Sequence, residues 1–424
     1  MDQVSASNGC KKSNSAFKKF WVILFSLLVL LIPLGFFVGI VNDREKYRND
    51  AVRDVANSWA AEQAIQPPTL TFYDEKNKKE LSWELDKYDA SAVVETEVRK
   101  RGIFKVPVYT ADVVMKGNFI KPDGDIGNNK WIFLFDVSDS KGFIEQPEFK
   151  IGKMTSFDSV SDKQYKYHAV SGERSIPFEV RFKIRGVNKL SFVPSANINN
   201  IKIKGAWADP SFEGDFLPVK RVVSENGFEA DWSVPRIATL DVQRRTYDNG
   251  SSYGYKEVLN NPYVTCGVSL LMPVDNYRMT MRAVKYGFLF LVLTFIAFFV
   301  FEITAKKRRP VHPLQYMLMG MALLVFYLLL LSISEFMPFV WAYLIASLMI
   351  IGMISLYTYF VLTKKENTGF SLLIAFILAV LYGFLYTLLM LQDFSLILGS
   401  VGLFVIIGII MYVTRDVDWY PQED

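Results

Sequence analysis

Two cysteines and two histidines in 424 residues leave little material for a metal site or a disulfide framework. Cys10 and Cys266 fall on opposite sides of the membrane in the topology argued below, so they cannot pair within one chain. With His168 and His312 as the histidines, no ligand cluster for zinc or a redox metal arises. The chain has no Gly-x-Ser-x-Gly elbow, no phosphate-binding Gly-rich loop with Lys-Ser/Thr, and no His-Glu-x-x-His helix, so hydrolase, ATPase and metalloprotease chemistries lose their usual carriers. Net charge is only +4, and no segment interleaves basic residues with aromatics, which argues against nucleic acid as a partner. No catalytic residue, cofactor or metal is expected, and the chain is not read as an enzyme.

Apolar residues, by contrast, make up 51% of the chain and are unevenly placed. Residues 20–41 form an unbroken apolar run behind Lys11, Lys12, Lys18 and Lys19, long enough to cross a hydrocarbon core of about 30 Å. The run is too long for a signal peptide and continues into Asn42-Asp43-Arg44-Glu45 with no small-x-small cleavage site, so it reads as a retained anchor. Five further runs follow, at 286–304, 314–334, 339–363, 369–391 and 394–414. Lys306, Lys307, Arg308 and Arg309, then Lys364 and Lys365, then Arg415 put the basic residues on one set of short connections. The turns at 335–338 and 392–393 carry none. Short loops decide orientation, so both termini are expected to be cytoplasmic.

The expected fold is therefore an α-helical transmembrane bundle of six helices, one plus five, with a large antiparallel β-rich periplasmic domain between helices 1 and 2. The segments are a basic cytoplasmic N-terminus (1–19), a first transmembrane helix (20–41), the β-rich domain (42–285), a five-helix bundle (286–414) and a cytoplasmic tail (415–424). Period-two patterning at 108–119, 131–137, 178–184, 201–207, 228–232 and 263–272 supplies the strands, in a sandwich-like arrangement. A helix is expected at 43–63, and turn-forming sequences stand at Pro122-Asp-Gly-Asp, Gly127-Asn-Asn and Asp248-Asn-Gly.

The densest polar feature of that domain runs from Trp207 to Arg221. It gathers Asp209, Glu213 and Asp215 near Lys220 and Arg221, with Phe212 and Phe216 between them, in a loop broken by Pro210, Gly214 and Pro218. Carboxylates held about 5–10 Å apart could serve as a ligand site or acid/base pair. The plainer reading is an ordered loop whose charges pair locally. In the bundle no ionisable residue sits at a helix centre, where a charge costs at least about 2.5 kcal/mol, which argues against proton or voltage coupling. Glu302 and Glu335 stand at helix ends, as a surface ion pair and a hydrated interfacial group respectively, and Tyr327, Ser332 and Ser334 are further polar candidates.

The strings themselves are distinctive. Asp209-Pro-Ser-Phe-Glu-Gly-Asp-Phe-Leu-Pro-Val-Lys-Arg221 and Val223-Ser-Glu-Asn-Gly-Phe-Glu-Ala-Asp-Trp232 closely resemble the signature of the CreD family of inner-membrane proteins. The resemblance continues through Thr294–Glu302, His312-Pro-Leu-Gln-Tyr316, Phe326–Glu335 and Val413-Thr-Arg-Asp-Val-Asp-Trp-Tyr420. It implies a bacterial inner-membrane protein linked to envelope integrity, stress and β-lactam response. It implies no reaction and supplies no catalytic residue. The family often places His directly after the glutamate matching Glu335, where this chain has Phe336, so no Glu-His proton pair is implied. The partners expected are membrane lipids and a periplasmic protein or cell-wall component of unknown identity; carriage of an envelope precursor through the bundle and a membrane-embedded enzyme are the alternatives. Oligomeric state is open.

Overall fold

A computed structural model of the chain describes residues 10–74, 79–120, 130–152, 159–161, 164–168, 174–239, 264–270, 276–304, 312–362, 368–391 and 394–415. The turn sequences at 122–125, 127–129 and 248–250 lie outside them. The chain divides into two compact units, Met1–Tyr47 with Val274–Asp424, and Arg48–Pro273.

The first unit is helical. Helix α1 runs Cys10–Ser58 without a break, so the span and the expected second helix at 43–63 are one element. The cause is local: residues 42–58 contain neither Pro nor Gly, and Ala51, Val52, Val55 and Ala56 recur at helical spacing. The other helices are α2 (Asn276–Thr304), α3 (Pro313–Ser334), α4 (Phe339–Tyr357), α5 (Thr368–Met390) and α6 (Ser395–Thr414). Helix α2 starts ten residues before the apolar run, because its polar first turns, Asn-Tyr-Arg-Met-Thr-Met-Arg, carry no hydropathy signal yet form helix. Helix α4 passes into a π-helical turn, Thr358–Leu362. Among the described residues six helices, α1 included, are long and apolar enough to cross a membrane.

Packing in this unit rests on small and aromatic side chains. A side chain at Gly320 of α3 would meet the ends of the Leu30 side chain of α1 and the Phe295 side chain of α2, so glycine there lets the three helices pack without displacing either. Phe326, Tyr343 and Tyr382 stack edge to face or tilted at 4.8–6.4 Å, joining α3, α4 and α5. Helix α6 differs: its apolar side chains are mostly exposed, the surface a helix offers to lipid.

The second unit is built from three sheets. A four-stranded sheet has the order β1 (Gln63–Ile65), β11 (Lys189–Phe192), β16 (Cys266–Leu270), β13 (Pro210–Gly214). A seven-stranded sheet has the order β14 (Lys220–Ser224), β15 (Gly227–Pro235), β12 (Ile198–Gly205), β4 (Glu84–Arg101), β5 (Phe104–Ile120), β10 (Ser175–Val187), β7 (Glu148–Ile151). A five-stranded sheet has the order β3 (Lys79–Ser82), β2 (Thr69–Asp74), β6 (Lys130–Leu134), β9 (Gln164–His168), β8 (Ser159–Ser161). Pairing is antiparallel except for β1 with β11 and β12 with β4, which are parallel. The five-stranded sheet is thus wholly antiparallel, as the sequence led us to expect, whereas the four- and seven-stranded sheets each contain one parallel pair.

Alternation sets the layers. On the long strands Tyr88, Ala90, Ala92 and Val94 of β4, Val113 and Met115 of β5, and Ile201 and Ile203 of β12 point inward. They share one core with Phe192 and Val268 of the four-stranded sheet and Trp131 and Phe133 of the five-stranded sheet. Each large side chain so buried contributes about 1.5–3 kcal/mol. The opposite face of the seven-stranded sheet, with Asp89, Ser91, Asp112, Lys116, Lys202 and Asp231, is polar and solvated. Residues of α1 from Arg48 on belong to this unit, where Val55 packs with Val106, Val108 and Val187, and Trp59, just past the helix, carries on its ring the guanidinium of Arg99 at 3.6 Å and that of Arg185 at 4.8 Å.

Candidate functional site

The stretch 207–221 is not one loop. Residues 210–214 form β13 of the four-stranded sheet, and Lys220 begins β14 of the seven-stranded sheet, so the chain crosses between layers within six residues. Gly214 allows the crossing: its φ of +115° and its contact with the carbonyl of Thr265 exclude a side chain. Asp215 then exchanges bonds with Thr265, its carboxylate accepting from Thr265 N at 2.8 Å and its own N–H donating to Thr265 O at 2.7 Å. Glu213 pairs with Lys189 at 3.5 Å. Phe212 packs edge-on against Phe228 and Trp232, and the Trp232 indole donates to the Phe216 carbonyl at 3.0 Å. The Asp209 carbonyl accepts from the Trp207 indole at 3.1 Å. The three carboxylates therefore do not converge with Lys220 and Arg221 on one point; Glu213 and Asp215 fasten the crossing.

The geometry instead draws Lys220 into a cleft on the open face of the seven-stranded sheet, with a volume of about 480 Å³. Its floor is Ser91 and Val114 on β4 and β5, Asn200 and Lys202 on β12, and Asp231 and Ser233 on β15, with Val219 and Lys220 as one wall. The polar groups form a ladder across strands. Asn200 Nδ2 donates to Asp89 Oδ1 at 2.8 Å, Lys87 lies 2.8 Å from the other Asp89 oxygen, and Ser233 Oγ donates to Asn200 Oδ1 at 3.4 Å. Lys202 binds Glu229 and lies 3.8 Å from Asp231.

This ladder fixes charge states. Burial pushes the Asp89 carboxyl up, but hydrogen bonds from Lys87 and Asn200 together outweigh it and hold it below its ordinary range. The hydrogen bond to Glu229, and then the charge of Asp231, raise the Lys202 ammonium, while the same bond lowers Glu229. Asp89 and Glu229 are thus held in their ionised form and Lys202 in its protonated form, which suits fixed charges and hydrogen bonding better than acid–base chemistry near neutral pH. Behind the cleft, Asn199 is fully buried and uses its whole amide: Oδ1 accepts from Ala196 N at 2.9 Å, and Nδ2 donates to the carbonyls of Ala196 and Val234 at 2.8 Å each. Neither was legible in the sequence: the cleft depends on β4 and β12 lying side by side in parallel, and the role of Asn199 on β12 pairing with β15.

In the helical unit Glu335 is not a hydrated interfacial group. Its side chain is 8% exposed, its Oε1 lies 3.7 Å from Arg44 Nε of α1 and accepts from the Tyr277 hydroxyl of α2 at 3.3 Å. Asn276 donates from its amide to the Ser334 carbonyl, and Ser334 is buried with its hydroxyl on the Leu331 carbonyl at 2.9 Å. The end of α3 is thereby tied to α1 and α2. Tyr327 is buried against Phe326 and Phe37, whereas Ser332 is exposed, so the two do not line a common path. The fissures between α2 and α5 hold about 10 Å³ each, room for about one water and far too little for a carried substrate. Glu302 lies in α2, but its side chain is outside the described residues, as are Lys306–Arg309. Among the described residues no group of three His, Cys, Asp or Glu is placed to hold a metal ion.

Comparison with known proteins agrees along the whole chain. A family profile described as "Inner membrane protein CreD" matches residues 15–420. The "Inner membrane protein CreD" of Escherichia coli (strain K12) is 30% identical over 435 residues, covering 95% of this chain and 94% of that protein. Among solved structures, a candidate nutrient binding protein of Legionella pneumophila covers 61% of this chain and 89% of its own at 5% identity and a TM-score of 0.28. An M1 zinc metallopeptidase of Deinococcus radiodurans covers 48% and 53% at 9% identity and a TM-score of 0.21. At such scores neither likeness identifies the fold.

Proposed function

Because the chain belongs to the CreD family of inner-membrane proteins, we propose that it is a multi-pass cell-envelope integrity protein whose β domain faces the periplasm and binds a partner there, either a protein or an envelope component. The cleft on the open face of the seven-stranded sheet carries the reading. A recess of about 480 Å³ lined by charged and hydrogen-bonding groups is the kind of concave surface on which a partner is recognised. The short basic connections in the helical unit support the periplasmic placement of the domain. The helices anchor it, and the charge states of the cleft favour recognition over catalysis.

Replacing residues 63–270 by a short flexible linker, with all six helices kept, removes the domain. In a strain lacking the chromosomal copy, this variant should reach the membrane yet fail to restore tolerance to envelope stress. Restored tolerance would sink the proposal.

A further inference from the structure

The seven-stranded sheet ends on β14, and that edge is unusual. All five of its residues are exposed. Leu217 and Val219, just before the strand, and Val222 on it are 68–69% exposed, Val223 is 48% exposed, and among the described residues the outer backbone groups of β14 pair with no neighbour in the sheet. Register shows why. Arg221 lies opposite Ala230 and Val223 opposite Phe228, so both belong to the inner side of the sheet, where Ala230 and Phe228 are buried. The covering layer stops at β15, and β14 overhangs it. Lys220 and Val222, opposite Asp231 and Glu229, belong to the cleft side. Neither Lys220 nor Arg221 forms an ion pair among the described residues, whereas Lys202 and Lys116 on the same sheet are both taken by carboxylates.

We infer that β14 is a strand-docking edge that takes an extended, acidic segment of a partner polypeptide as an eighth strand of this sheet. The inference rests on the partner-binding reading and names the class of partner. Unpaired N–H and C=O groups along an edge are satisfied by another strand. The side chains set its sequence. A strand laid antiparallel to Lys220-Arg221-Val222-Val223 places two apolar residues against the valines and two carboxylates against the cations, a pattern of apolar-apolar-acidic-acidic. Cross-strand pairs of that kind are the favourable ones, and a basic strand would set like charges opposite each other. A lipid surface would also attract leucine, valine, lysine and arginine, but hydrocarbon leaves edge backbone groups unsatisfied. A second copy of β14 laid in the same antiparallel register would set valines opposite Lys220 and Arg221 and leave both cations without a carboxylate.

The test uses full-length protein in detergent micelles and a fluorescent, disulfide-closed hairpin peptide whose outer strand reads Thr-Val-Val-Glu-Glu-Thr. The expected results are binding at least tenfold tighter than for the Lys-Lys counterpart, loss of binding when the outward amides of the peptide are N-methylated, and reversal of the charge preference in the double variant Lys220→Glu, Arg221→Glu. The reversal guards against misfolding, because a misfolded variant would bind neither peptide. Equal binding of both peptides, indifference to N-methylation, or an unreversed preference would overturn the inference. So would Lys220- and Arg221-dependent binding to phosphatidylglycerol vesicles without peptide binding, or self-association through β14 that the peptide does not compete. If these peptides fail while filling the cleft at Ser91 still abolishes envelope protection, the strand-docking inference falls and the partner-binding reading stands.

Discussion

Arg44 Nε lies 3.7 Å from Glu335 Oε1, and the two residues are 46% and 8% exposed. The partners are therefore unequal: solvent can compensate the arginine, but little can compensate the glutamate except Arg44 and the Tyr277 hydroxyl. Breaking such a pair from the arginine side strands a buried carboxylate, whereas removing both charges does not.

Arg44→Ala should lower the stability of the solubilised protein by about 1–2 kcal/mol, below the full cost of a buried pair because Arg44 is half exposed. Adding Glu335→Gln to that variant should restore at least half of the loss. Thermal unfolding of the four proteins in one detergent checks it, and simply additive losses would contradict the pairing.

Asn199 satisfies three buried backbone groups with one amide. Asn199→Leu keeps the volume but leaves those groups unpaired, at about 1–3 kcal/mol each. The β domain should lose cooperative unfolding, or several kcal/mol of unfolding free energy in denaturant titration, while Asn200→Ala on the solvated face should change that free energy by under about 1 kcal/mol.

Burial, with the charge of Asp215 adding to it, pushes the Cys266 thiol up to about 12. The unfolded thiol titrates near about 8.5. The stabilisation is complete below that value; above it the unfolded chain releases the proton that the folded chain keeps. Stability therefore falls with rising pH, at up to about 1.4 kcal/mol per pH unit, until the folded value is passed. Between about pH 8.5 and 10, before tyrosines titrate, Cys266→Ala should flatten the decline of the denaturant midpoint. An unchanged slope would show that the thiol is not the group responsible.

Much of the fold was legible in the sequence because its signals are local. Apolar runs of membrane-spanning length placed α3, α5 and α6 within a residue of their observed ends, and period-two alternation found β5, β10, β12 and β15. Long strand β4 escaped because its inward residues include the small Ala90 and Ala92, which carry weak β signal. The site was far less legible. Asp209, Glu213 and Asp215 are close in sequence, yet Gly214 turns the chain between sheets and separates Asp215 from the cleft that Lys220 joins. The cleft is made by residues more than a hundred positions apart, Ser91 and Asn200 among them, and no spacing rule joins them. Glu335 was found as a residue, but its partner Arg44 lies nearly three hundred positions away.

The central claim is that the open face of the seven-stranded sheet binds a partner, and filling its cleft tests this most directly. Ser91 and Ser233 are exposed on that face, so Ser91→Trp and Ser233→Trp block the recess without touching the core. Growth under envelope stress, measured in a strain carrying each variant as its sole copy and normalised to membrane level, should fall to that of the deletion strain. Full protection by both tryptophan variants at wild-type abundance would contradict the account.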